Sequence, residues 1–289
     1  MAPLLHATLF KGINIPWRYE LYETQVENEF LPALKQDGIV GCAVTMPYKV
    51  KLMSAADEVT EEGRMIGAIN TIFRRKNGDK TLNIGTNTDC VGVREAFLQS
   101  YPESLGRAAG KPALVIGGGG ACRAAVFALW KWLGASKIYM VNRLESEVTD
   151  IIDSFKAAGF GGQLVHVASL EQAADLETPV FVVGTVPDFP PKEPGEILAR
   201  QITTHFLDRP EKGYILEMCY HPRPRTAFFE LGEEADWKII YSTESMIWQG
   251  VAQQILWAEV PLETFRLDEA KRVIADELAV TNPASLGFI

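Results

Sequence analysis

Three short polar segments lie in the first third of the chain, each at the end of a run that reads as a strand. They are Val44-Thr45-Met46-Pro47-Tyr48-Lys49, Gly67-Ala68-Ile69-Asn70-Thr71 and Gly85-Thr86-Asn87-Thr88-Asp89. A lysine and an aspartate from different segments form a pair suited to a hydroxyl. The carboxylate holds the ammonium and the substrate oxygen, and the lysine moves the proton, best where burial lowers its pKa. Asn70 and Thr45 would then fix further hydroxyls of a small polar substrate. The plainer reading is a solvated Lys49 and an Asp89 that caps a helix beginning near Val91.

A second chemistry lies in Gly117-Gly118-Gly119-Gly120. Before these glycines, Ala113–Ile116 is an apolar run of buried-strand type. After them, Ala121 to Leu133 is rich in helix formers and stopped by Gly134, and Lys137–Asn142 reads as a second strand. A glycine turn that ends a strand and opens a helix lets backbone approach a pyrophosphate, whose charge the helix N-terminus favours. The pattern stops short of a full G-x-G-x-x-G, because Cys122 stands at the third glycine. The bland alternative is a tight turn in a sheet that holds no cofactor.

Past the second strand comes Asn142-Arg143-Leu144-Glu145-Ser146-Glu147. Arg143 suits adenine or the extra phosphate of NADP, whereas Glu145 or Glu147 suits the ribose hydroxyls of NAD. NAD and NADP both stay open, with the two acids tilting the reading slightly toward NAD. No Walker lysine follows the glycines, which argues against a P-loop kinase or ATPase.

The elements that must carry these groups divide in two. From residue 113 to 241, short apolar strands alternate with helical stretches, as in a parallel sheet covered by helices. Strands are expected near Gln163–Val167, Val180–Gly184, Tyr214–Met218 and Lys238–Tyr241, a helix over Val148–Ala158, and a loop over Thr185–Pro194. The earlier region reads as a separate α/β unit. A strand is expected over Gly38–Thr45, a short helix from Pro47 carrying Lys49 and Lys51, and a hairpin turning at Asn77-Gly78. Ser242–Glu259 and Leu267–Leu278 read as amphipathic helices that could pack back on the first unit. The expected architecture is thus two-domain α/β. Residues 1–98, completed by helices in 245–289, form a substrate-binding domain, and residues 99–244 form a Rossmann-like dinucleotide-binding domain.

Composition bounds the rest. The chain has 289 residues, 47% of them hydrophobic, enough for a sizeable core. With 28 basic and 37 acidic residues the formal net charge is -9, which argues against a broadly basic nucleic-acid or membrane binder. Cys42, Cys90, Cys122 and Cys219 are too scattered for a disulfide scaffold or a clustered zinc site, so no metal is expected. No apolar run approaches a membrane span and no signal peptide is evident, so a cytoplasmic setting is expected. The tryptophans are read as core or interface packing, and the protein as a monomer or homodimer.

The segments GCAVTMPYK (41–49), GAINT (67–71), GTNTDCVG (85–92), GGGGACRAA (117–125), VNR (141–143) and the Tyr241–Trp257 stretch occur in one order. In these, nearly the whole chain resembles the shikimate/quinate dehydrogenase family, nearest its fungal quinate dehydrogenases. The resemblance implies reversible hydride transfer between a ring hydroxyl of quinate or shikimate and NAD or NADP. It makes Lys49 and Asp89 the catalytic pair. It puts Thr45, Asn70, Asp89 and Gln249, joined by Tyr220, around a small polyhydroxy cyclohexane or cyclohexene carboxylate. Gly117, Gly118, Gly119, Gly120, Ala121, Asn142 and Arg143 become the dinucleotide site, with Glu145 toward the ribose. Thr185 and Val186 would flank the cofactor, and Met246 would lie by the nicotinamide.

The chain departs from the family pattern in several places. Ala43 replaces an Asn, Leu144 a Thr, Val186-Pro187-Asp188-Phe189 a Pro-x-Gly loop, and Glu217 the Asp of a D-x-x-Y-x-P motif ending at Pro222. Met1–His6 matches the end of a Ser-x-Ser-Pro segment that grips the substrate carboxylate. The strand before that segment and its first Ser are absent, and Ala2 stands at the second. Loss of both hydroxyls is expected to weaken binding by about 3–6 kcal/mol, with His6 as a substitute donor or, more simply, a packed side chain. The alternative function is a catalytically impaired relative that senses a metabolite or regulates a pathway.

Overall fold

The computed structural model describes residues 1–24, 27–220 and 225–281. The chain divides into two compact units: Met1–Thr88 together with the chain from Ile247 onward, and Asp89–Met246.

The first unit opens with α1 (Ala2–Gly12), whose first turn holds Pro3, and next contains α2 (Glu27–Leu34). Then come β1 (Gly41–Ala43), a 3-10 turn over Lys51–Ala55, β2 (Glu58–Val59), α3 (Glu61–Ile66), β3 (Thr71–Asn77) and β4 (Lys80–Thr86). The sheet order is β1-β3-β4-β2, antiparallel except that β2 runs parallel to β4. The β3–β4 hairpin closes on the Asn77–Lys80 pair, leaving Gly78-Asp79 as a two-residue loop. Gly78 has φ +62°, the left-handed conformation that such tight turns require. Successive β3 residues face opposite ways: Ile72 packs with Leu34, Val44, Leu52 and Ile69, and Phe73 with Phe10 and Trp257.

Two local expectations need correction here. The strand expected over Gly38–Thr45 pairs only at Gly41–Ala43. Gly38, at φ +85°, turns the chain before it, and Thr45 opens a turn after it by accepting the Tyr48 N–H at 3.0 Å. Nor does a helix run from Pro47 through Lys49. The Lys49 carbonyl accepts the Ile69 N–H at 2.8 Å, so that peptide is spent on the neighbouring segment, and the regular 3-10 helix spans only Lys51–Ala55.

The second unit contains α4 (Asp89–Ser100), α5 (Ser104–Ala108), β5 (Ala113–Ile116), α6 (Gly120–Lys131), β6 (Lys137–Val141) and α7 (Glu145–Ala157). It continues with β7 (Gln163–His166), α8 (Leu170–Asp175), β8 (Phe181–Gly184), α9 (Pro194–Leu207), β9 (Tyr214–Glu217), α10 (Ala227–Glu234) and β10 (Lys238–Ile240). All six strands are parallel, in the order β10-β9-β8-β5-β6-β7. This is the doubly wound sheet expected from the sequence. Every residue of β5, β8 and β9 is buried, which is why these strands read as continuous apolar runs rather than alternating ones. The chain winds outward through β5, β6 and β7, then returns to place β8 on the other side of β5. The strand order therefore reverses between β5 and β8, where open α/β sheets present their ligand crevice.

The helix α11 (Ser242–Ala258) crosses from the second unit to the first, and α12 (Leu267–Thr281) follows it and packs on α1. The Trp257 indole N–H donates to the Ile72 carbonyl at 3.0 Å, fastening α11 to β3. A Cβ on Gly41 would fall 2.4 Å from that indole nitrogen, so β1 passes the ring only as glycine. His6 is fully buried on α1, stacked on Tyr19 at 4.3 Å and 2.8 Å from the Gln254 amide. Burial lowers its pKa to about 4, so the ring packs as a neutral core group.

Candidate active site

In the first unit the polar segments converge on Asn70, which is 3% exposed at the start of β3. Its Oδ1 accepts the Thr88 N–H at 2.6 Å, the Thr71 hydroxyl at 2.8 Å and the Thr88 hydroxyl at 3.1 Å. Its Nδ2 faces the Thr88 hydroxyl at 3.0 Å and Gln249 Oε1 at 3.4 Å. One turn further along α11, Gln253 Nε2 donates to the Thr71 hydroxyl at 2.9 Å. Asn87 is buried beside this layer and donates to the Ala68 carbonyl at 3.0 Å. The segment that carries Thr45 and Lys49 is tied to the same place through backbone. Val44 N–H donates to the Asn70 carbonyl at 2.7 Å, and Asn70 N–H donates to the Thr86 carbonyl at 3.0 Å. Thr45 is exposed and Lys49 half-buried on the intervening turn.

The structure therefore gathers Asn70 and Gln249, with Thr45 and Lys49 on a segment bonded to Asn70. Asp89 belongs to the second unit, half-buried in the first turn of α4. Reasoning from sequence missed Thr71, Thr88 and Gln253 as parts of this layer. Gln253 was signalled by its spacing of four from Gln249 on an amphipathic helix, which puts both amides on one face. Thr88 stood inside a segment already singled out.

In the second unit the glycines end β5 at the strand reversal. Gly117 has φ +127°, and a Cβ there would meet the Thr185 hydroxyl at 2.2 Å and Val186 at 3.4 Å. The Thr185 hydroxyl is fixed by donating to the Ile116 carbonyl at 2.7 Å. At Gly118 a Cβ would lie 2.5 Å from Glu147 Oε2 and 2.7 Å from Asn142 Nδ2. At Gly119, the N-cap of α6, such a Cβ would meet nothing within 4 Å among the described residues, and none of their side chains caps the helix. Uncapped N–H groups beside open space fit a phosphate, so Gly117 to Ala121 suit a dinucleotide's pyrophosphate.

The two acids that follow β6 separate in space. Glu147 accepts from Asn142 Nδ2 at 2.6 Å and turns toward Gly118. Glu145 instead lines a cavity of about 180 Å³ with Arg143, His166 and Leu198. Met246 and Tyr220 are both half-buried. The motif ending at Pro222 runs into residues 221–224, outside the described residues. Its acid, Glu217, accepts the Thr226 hydroxyl at 2.6 Å and the Cys219 N–H at 2.9 Å. Burial pushes its pKa up to about 7 despite both donors.

Residues 1–72 match the family model described as the shikimate dehydrogenase substrate binding domain. The chain is 40% identical over 305 residues to a quinate dehydrogenase of Emericella nidulans, with 99% of this chain and 93% of the relative covered. Its fold is similar to the dehydroquinate dehydratase and shikimate dehydrogenase of S. pombe AroM, with a TM-score of 0.76 and 29% identity. That match covers 94% of this chain and 50% of the other. A Thermus thermophilus shikimate 5-dehydrogenase in complex with NADP(H) and shikimate gives a TM-score of 0.71 and 26% identity, covering 94% of each chain.

Proposed function

Because this chain belongs to the shikimate/quinate dehydrogenase family, we propose that it is an NAD(P)-dependent oxidoreductase for quinate or shikimate. It oxidises one ring hydroxyl to the ketone and catalyses the reverse reduction. The first unit takes the cyclic polyhydroxy carboxylate and the second takes the dinucleotide. The observation that carries this reading is the layer of buried Asn70, Thr71, Thr88 and Gln253 with half-buried Gln249, bonded through backbone to the turn bearing Lys49.

A nicotinamide, when bound, would supply the hydride acceptor, and the chain's own residues do the rest. In the oxidative direction Lys49 Nζ accepts the proton of the reacting hydroxyl, and in reduction it returns it. Asp89 orients the lysine and the substrate oxygen. Thr45, Asn70 and Gln249, with Tyr220, bind the remaining hydroxyls. An analogue lacking one hydroxyl leaves a buried polar group unpaired, which is how such a pocket discriminates. Gly117 to Ala121 would hold the pyrophosphate of a dinucleotide, Glu145 its ribose, Asn142 and Arg143 its adenosine, and Thr185, Val186 and Met246 its nicotinamide. The exposed Glu145 beside the adenosine cavity supports NAD as the preferred form. The protein is read as a cytoplasmic monomer or homodimer. Among the described residues no helix is long and apolar enough to cross a membrane.

The test is the near-ultraviolet absorbance of reduced nicotinamide, with quinate and shikimate each offered with NAD and with NADP. Turnover is expected with at least one pair and fastest with NAD. Absence of turnover in all four combinations would overturn the proposal.

A further inference from the structure

Arg143 follows β6 and ends in an ion pair. Its Nη1 donates to Glu196 Oε1 at 2.8 Å. Glu196 sits in the first turn of α9 and is itself anchored. Its other oxygen accepts the N–H groups of Lys192 at 2.9 Å and Glu193 at 3.2 Å, completing a capping box. The Lys192 and Glu193 amides, joined by Arg143, hold this carboxyl at a pKa of about 2, so it stays ionised at neutral pH. The approach of the two elements is set by backbone. A Cβ on Gly195 would lie 2.4 Å from the Arg143 carbonyl, so α9 meets this turn only through glycine. Arg143, Glu145 and Gly195 all line the same small cavity.

We propose that Glu196 is a specificity-determining residue, which holds Arg143 as a neutralised pair so that the cavity accepts a free ribose 2′-hydroxyl and disfavours a 2′-phosphate. This rests on the cofactor reading above and adds a residue outside the glycine turn and the acids that follow β6. A 2′-phosphate carries about -1.5 to -2 charges at neutral pH. To bind, it must draw Arg143 from a partner fixed by two amides, while Glu145 lines the same cavity. A 2′-hydroxyl makes no such demand, since it can donate to a carboxylate.

Calorimetric titration with adenosine 5′-monophosphate and adenosine 2′,5′-bisphosphate tests this without turnover. Glu196→Gln keeps an oxygen for the capping amides and removes the charge. Affinity for the bisphosphate is expected to rise about tenfold, a change of the size one relieved charge contact gives. Affinity for the monophosphate should change by less than about twofold. Adding Arg143→Ala to Glu196→Gln should abolish the gain. An unchanged ratio of the two affinities, with monophosphate still bound, overturns the role of Glu196 and leaves the cofactor reading standing. Failure of the wild-type protein to bind either nucleotide overturns the cofactor reading and this proposal together.

Discussion

The two candidate half-sites are built on opposite terms. In the first unit the site is made of side chains that bind one another. Three protein donors already converge on Asn70 Oδ1, and Gln249 and Gln253 reach the layer from α11. In the second unit it is made of missing side chains, an uncapped helix end and clear space over Gly119. A wired polar layer holds donors and acceptors in place before a substrate arrives, and it suffers when an atom is removed. A glycine turn recognises its ligand with backbone and suffers when an atom is added.

The largest expected effect lies in chemistry rather than folding. Lys49→Ala should lower kcat by about 10²–10⁴-fold, the usual share of a proton-transferring side chain. Nucleotide affinity measured by titration should stay unchanged, because the groups proposed to hold the cofactor belong to the other unit. Retained turnover in this variant would remove Lys49 from the reaction.

Next come two opposed pH dependences, one in each unit. His6 has its folded pKa lowered from 6.5 to about 4 by burial, so the unfolded chain binds its proton more tightly. Stability from this group is present above pH 6.5 and is lost as pH falls through 4. Glu217 has its folded pKa raised from 4.5 to about 7 by burial, so its contribution is present below pH 4.5 and is lost as pH rises through 7. Each is worth up to about 3 kcal/mol. Between pH 4.5 and 6.5 the two slopes oppose each other. Glu217→Gln removes one of them, so urea unfolding of this variant should show stability rising with pH across that window more steeply than in the wild-type protein. Above pH 7.5 the variant should be the more stable of the two, and a lower midpoint there would contradict the account of Glu217.

Asn70→Ala removes the acceptor of the Thr88 N–H in a buried layer and leaves the Thr71 hydroxyl only Thr88 Oγ1, at 3.1 Å, as its acceptor. A loss of about 2–3 kcal/mol in denaturant unfolding is expected. The smallest structural effect and the cleanest contrast come from Gly119→Ala. The new methyl meets nothing among the described residues, so stability should hold within about 0.5 kcal/mol, while nucleotide affinity falls about tenfold or more because the methyl would occupy the space proposed for the phosphate. If Gly119→Ala destabilised the fold while Asn70→Ala did not, the contrast between the two half-sites would collapse.

Legibility in the sequence follows the same division. The second unit was readable because its information is local: a buried parallel strand is an unbroken apolar run, and a strand, glycine turn and helix lie consecutively in the chain. Hence β5, α6 and β6 stand close to their expected limits. The first unit was harder because its elements are short and decided by distant partners. The two-residue β2 exists through β4, β1 is cut by the geometry of Gly38 and Thr45, and Lys49 leaves helix because Ile69 claims its carbonyl. Asn70 and Gln249 were identified from motifs, whereas the role of Gln253 needed the contact of α11 with Thr71, across 182 residues of chain.

That long separation has a consequence for the order of synthesis. The polar layer around Asn70 and the apolar layer around Phe73 are closed by Gln249, Gln253 and Trp257, all of which leave the ribosome after the entire nucleotide unit. The parallel sheet can therefore mature on a nascent chain while the sheet before it still waits for its last helix. The half of the molecule translated first is the half completed last. During that interval Phe73 lacks the Trp257 ring, and the Ile72 carbonyl lacks the indole N–H that it accepts in the finished fold.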